Sequence, residues 1–146
     1  MSRPVAVICT LLAGGLVALQ PPANASLSRY VGDFGAAFVS IMISAVIIGA
    51  LLVTIGHPGR LAGIGSIRFE HVLGGIAGAV IVTVSLVAVR PLGAGALVAL
   101  LVTAQLIVAV AVDRFGWLGV HHVGLTGTRW LGIALAIAGT ILVTRT

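Results

Sequence analysis

Gln20 and Asn24 are the polar side chains of this sequence best placed to handle a solute. Four positions apart, they share one side of a helix, and Ser28 follows a turn later. Pro21 and Pro22, between them, lack backbone donors and should bend or break that helix, leaving free carbonyls beside the two amides. A carboxamide both donates and accepts, so such a place suits a neutral polar or zwitterionic solute better than a bare cation. The other reading is that the amides bond between helices and hold them together. Gln105, deep in a later apolar run, admits the same two readings. Asp113, Arg114 and Arg90 stand where apolar runs end, as anchors of helix ends or as gating groups.

Other chemistries find no support. The three acids, Asp33, Glu70 and Asp113, all sit at the ends of apolar runs, so no carboxylate stands mid-membrane as a proton relay. Neither a nucleophile with its base, a phosphate loop nor a cofactor motif occurs, so no enzyme and no cofactor are expected. His57, His71, His121 and His122 fall in or beside loops. Adjacent histidines cannot point the same way on a helix, and no acid stands at ligand spacing, so headgroup or water is expected around them and no metal. Cys9 is single and lies within an apolar run, which rules out a disulfide framework.

The elements that position these groups follow from composition. Hydrophobic residues form 60% of the 146 and charged residues 8%, with mean hydropathy +1.26. A water-facing surface takes roughly 25% charged residues; this chain has too few to cover one. Five apolar runs are long enough to cross a hydrocarbon core of about 30 Å. The fold class is therefore an all-α membrane protein of five transmembrane helices, at residues 4–28, 34–56, 71–89, 92–112 and 123–144, in one domain, 1–146. Residues 57–69 form the longest connection, rich in glycine with one proline, as turns require. Trp117 and Trp130 fall at run ends, where indole rings sit at headgroup level. Gly74, Gly75, Gly78 and Gly132 offer small faces for helix packing, within one protomer before any dimer. Arg3, an apolar core and Ala23-Asn24-Ala25 before Ser26 imitate a cleaved signal peptide; the core's length and the absence of a soluble domain after it favour retention.

All eight basic residues are arginines, scattered between runs and never clustered with aromatics, so nucleic acid is not an expected partner. With five spans, Arg3, Arg60, Arg68, Arg114 and Arg129 share one face and Arg29, Arg90 and Arg145 the other. Five against three favours a cytoplasmic N-terminus only weakly. So small a bias suits a protein inserted both ways, whose two orientations pair about an axis in the membrane plane. A fixed orientation with a weak signal is the alternative.

A series of short motifs runs along the chain. Gln20-x3-Asn24-x2-Leu27 closes the first run and Gly74-Gly75-x2-Gly78-Ala79 opens the third. Pro91-Leu92-Gly93 makes the next turn, Gln105 lies within the fourth run, and Asp113-Arg114-Phe115-Gly116 closes it. Leu131-Gly132-Ile133 and Gly139 follow. In order and spacing the set resembles the YdcZ-type family, a five-helix branch of the drug/metabolite transporter superfamily, over nearly the whole chain. Arg68-Phe69-Glu70-His71 stands where that family is often tryptophan-rich, Ala104 where a glycine is usual, and Arg114 where histidine is common. The resemblance implies a bacterial inner-membrane transporter or exporter that works as a pair of five-helix units, either an antiparallel homodimer or a pair of oppositely oriented homologues. Each unit would be half of an inverted-repeat transporter, with lipid, a small organic solute and a second copy as partners. The alternative is an accessory or structural membrane subunit without transport activity of its own.

Overall fold

The computed structural model describes residues 2–66, 69–116, 122–124 and 126–145. Three α-helices and one 3-10 helix follow in order: α1 (Arg3–Thr54), the 3-10 helix (Pro58–Ser66), α2 (Phe69–Phe115) and α3 (Gly127–Thr144), with no strand among the described residues. All three α-helices are long and apolar enough to cross a membrane. Hydrocarbon offers the backbone no hydrogen-bond partner, so every N–H and C=O must be paired inside its own segment, and helix does this.

Helix boundaries differ from the sequence expectation in an informative way. The runs at 4–28 and 34–56 lie in one element, α1, and those at 71–89 and 92–112 in another, α2. Fifty-two residues of straight helix would extend about 80 Å, far more than a bilayer's hydrocarbon. Each element is interrupted at one glycine of non-helical backbone: Gly32 in α1, with φ 74° and ψ 169°, and Gly93 in α2, with φ 74° and ψ 161°. That region of backbone space belongs almost solely to glycine. Pro21 and Pro22 do not break the helix; the interruption is at Gly32, in the gap that the sequence leaves between the runs 4–28 and 34–56. Proline's fixed φ is itself helical, and its cost is a lost donor; only a residue without Cβ reaches the conformation at position 32 cheaply.

The connection expected over 57–69 contains the 3-10 helix. α3 begins at Gly127, four residues later than expected, because the Thr126 side chain caps it by accepting from the Arg129 backbone N–H. Arg129 and Trp130 then occupy its first turn, and Trp130 is exposed. Trp117, His121 and Arg68 lie outside the described residues.

Two compact units divide the chain, residues 1–90 and 91–146. In the first, Ala36, Ala37 and Leu86 form a small core, with Leu27 and Val82 packed against it. The stretches on either side of Gly32 therefore meet the same part of α2. Leu97 and Ile133 are buried in the second unit. Elsewhere large apolar side chains such as Leu11, Leu16, Phe38 and Val46 are exposed, which suits a lipid surround as it would not suit water.

A Cβ added at Gly32 or Gly93 would meet nothing within 4 Å, so substitution there is opposed by backbone strain alone. Gly32→Ala and Gly93→Ala should each cost about 1–3 kcal/mol, measured as a fall in thermal stability of the detergent-purified protein. Gly14→Ala, also in open space but without a positive φ, should instead be neutral or gain up to about 1 kcal/mol. Equal behaviour of the three variants would mean that these backbone conformations are not held.

Candidate functional site

In the first unit, Pro21, Asn24 and Ser28 are the buried positions on the N-terminal part of α1. Their spacing of three and four residues makes one stripe on the helix. Gln20 is exposed and so stands off that stripe, apart from Asn24. Asn24 is 8% exposed, and its carboxamide, whose polar atoms are not fully enclosed, has no hydrogen bond among the described residues. Ser85 of α2 is 3% exposed, and its hydroxyl likewise has no partner. A buried amide or hydroxyl left unpaired costs about 1–3 kcal/mol.

Around Ser28 the polar groups are satisfied. Its hydroxyl donates to the Ala25 carbonyl at 2.9 Å and accepts from Arg90 Nη2 at 2.6 Å. Arg90 also grips Asp33 with both arms of its fork, Nη2 to Oδ1 and Nη1 to Oδ2 at 3.3 Å. This bidentate geometry fixes direction as well as charge. Arg90, expected at a helix end, therefore ties the region just after Gly32 to the stretch of α2 that precedes Gly93. Asp33 was legible as a run-end acid but not as its partner. The available signal was placement, since each of the two charges neighbours a glycine or proline that ends a run.

The second unit holds three polar arrangements. Asp113 Oδ2 accepts from Arg129 Nη1 at 3.2 Å, joining the end of α2 to the first turn of α3. Asp113 thus pairs with Arg129 and not with its sequence neighbour. Arg114 instead contacts His122, Nη1 to Nε2 at 3.0 Å; a guanidinium can only donate, so that ring nitrogen accepts. Deeper in, Thr103 and Thr140 hydroxyls meet at 2.5 Å. Thr140 also donates to the Ala99 carbonyl at 3.2 Å, and Thr103 reaches the Ala136 carbonyl at 3.4 Å. These threonines clasp α2 to α3 and were not singled out from the sequence. Gln105 is exposed, one position from Leu106, which lines a cavity of about 310 Å³ together with Asp113, Arg129 and Gly132. Gly74, Gly75, Gly78 and Gly132 all face open space, with nothing within 4 Å of an added Cβ. No group of three metal-ligating side chains occurs among the described residues.

Replacing Thr140 by valine should cost about 0.6 kcal/mol, the average for hydrogen bonds between membrane helices, and no more than about 1.7 kcal/mol, their maximum. Adding Thr103→Val should then cost little more, because both hydroxyls serve one clasp. Thermal unfolding of the two single variants and the double variant measures this coupling; strict additivity would dissolve it.

Comparison with known proteins bears on the whole chain. The family model described as "Putative inner membrane exporter, YdcZ" matches residues 5–142. No curated protein and no solved structure matches the sequence. A match over nearly all of the 146 residues, on an all-helical chain whose helices can cross a membrane, shows that the chain belongs to the YdcZ family.

Proposed function

We propose that this protein exports a small, neutral polar or zwitterionic organic solute across a bacterial inner membrane, as one half of an antiparallel dimer of the drug/metabolite transporter type. The family match over residues 5–142 is the observation that carries the reading. Reversal of direction at Gly32 and at Gly93 would turn α1 and α2 into two spans each, giving five with α3. An odd number of spans puts the termini on opposite faces, and two copies inserted oppositely then generate an inverted repeat. Alternating access follows when the helices of the two copies rock about a solute held between them.

Asn24 is the residue favoured for solute contact, because the residue is largely buried in an apolar helix while its carboxamide, not fully enclosed, has no hydrogen bond among the described residues. The partnerless Ser85 hydroxyl adds a second such group. Gln20 in the first unit and Gln105 in the second are both exposed, at positions open to solute, water or the second protomer. Gly74, Gly75 and Gly78 supply a smooth face for that protomer's close approach. Asp113 and Arg114, engaged at the end of α2, and Arg90, engaged by Asp33 shortly before Gly93, are the groups offered as gates.

Cysteine substitution at positions 20 and 24 tests the pathway, on a background in which Cys9 is replaced by serine. Labelling by a membrane-impermeant thiol reagent, slowed by transported solute, is expected at both positions. Asn24→Leu should abolish export while leaving membrane insertion intact. Protection of position 24 with and without solute, together with normal export by Asn24→Leu, would leave these amides as packing residues and remove them from the pathway.

Dual orientation has its own measurement. Compartment-sensitive reporters fused to each terminus should both be active on both faces of the membrane, and two or three added arginines on one face should force a single orientation and lower export. A single clean orientation in the unaltered protein would exclude the antiparallel homodimer.

A further inference from the structure

A second cavity, of about 320 Å³, lies in the first unit and is lined by Pro22, Ala25, Ser26, Arg29, Val89 and Arg90. Its α1 residues are not those of the buried stripe Pro21, Asn24 and Ser28, so it opens from another side of the same helix. Its charge is unbalanced. Arg90 is neutralised by Asp33, whereas no carboxylate among the described residues pairs with Arg29. The bidentate grip of Asp33 uses part of Arg90's fork, and a guanidinium carries five N–H donors, so some remain for a ligand. Those donors are also held in place, because Ser28 and Asp33 fix the side chain before any ligand arrives.

From this we infer that the cavity binds a phosphodiester oxyanion of net single negative charge, with Arg29 supplying the unbalanced charge, Arg90 the oriented donors and Ser26 a hydroxyl. Pro22, Ala25 and Val89 make an apolar wall for the ester carbons. Between spans, where the membrane reading puts residues 29 and 90, the ready source of this group is an anionic phospholipid headgroup; a soluble phosphodiester has the same chemistry. Basic pockets between membrane helices take such headgroups.

The experiment uses the full chain, purified in a neutral detergent and examined by native mass spectrometry with added phosphatidylglycerol, phosphatidylcholine or the deacylated glycerophosphoglycerol. Phosphatidylglycerol should be retained over phosphatidylcholine. Arg29→Gln should weaken its retention about fivefold, the factor that one arginine near an anionic surface supplies. Ser26→Leu, which fills the cavity, should weaken it as well. Arg60→Gln removes the same charge at a residue of the same unit that does not line the cavity, and should change nothing. Retention of the acylated lipid alone identifies a lipid site, and equal retention of glycerophosphoglycerol identifies a soluble phosphodiester as the ligand; both support the inference. Equal loss from Arg29→Gln and Arg60→Gln, or no preference over phosphatidylcholine, would overturn it. Alkaline extraction of each variant from membranes reports insertion separately, so failure of the site is distinguishable from failure of the membrane reading on which it rests.

Discussion

Hydrocarbon forms no hydrogen bonds, and the rest of this structure follows from that constraint. A backbone that must satisfy itself locally crosses hydrocarbon as helix, and about 20 residues suffice to cross it. At 52 and 47 residues, α1 and α2 are more than twice that long, and each has a place where the helix stops being a helix. In both, that place is one glycine with φ 74° and nearly the same ψ. Glycine pays little for a conformation that would strain any other residue. The two interruptions are thus repeated solutions to one problem of length, and neither needs a long loop whose unpaired groups would seek water.

Charge collects where the helix is interrupted. Asp33 follows Gly32 directly, and Arg90 precedes Pro91-Leu92-Gly93. Their bidentate pair, with Ser28 as a third member, crosses from α1 to α2. Both partners remain partly exposed, at 47% and 35% of the side chain, and an exposed pair adds only about 0.2–1 kcal/mol. Its value is directional: a fork held from three sides sets how the two stretches meet, which apolar contact among small residues such as Ala36 and Ala37 cannot do alone.

The sequence was legible wherever composition decides and opaque wherever one helical position decides. Apolar runs free of charge announce membrane helices, and the ends of those runs carry the charges and prolines. By contrast, a boundary between residues 28 and 34 was legible but not that Gly32 makes it, and Pro21-Pro22 do not break the helix, because a missing donor is visible in a sequence while a backbone angle is not. Gln20 and Asn24 are four residues apart, yet that is about 40° of rotation, enough to bury one and expose the other at the edge of a stripe. The Thr103–Thr140 clasp was hidden for another reason. Thr10, Ser44, Thr54 and Thr83 return their hydroxyls to the carbonyl four residues back in their own helix. A threonine in an apolar run does this by default, and nothing in the sequence marks the pair that reaches across.

The polar groups inside this protein fall into two kinds, and the difference separates scaffold from site. Thr103 and Thr140 have one another and two carbonyls; nothing more is required of them, and they act as a fastener. Asn24 and Ser85 are buried residues too, without a side-chain hydrogen bond among the described residues, and the Ser85 hydroxyl is fully enclosed while the Asn24 carboxamide is not. An apolar side chain of similar size would be the more stable choice at Ser85, by the cost of an unpaired buried group, about 1–3 kcal/mol. Under the proposed function, such a group is kept for a partner outside the protomer, and that partner would be the transported solute or the second copy.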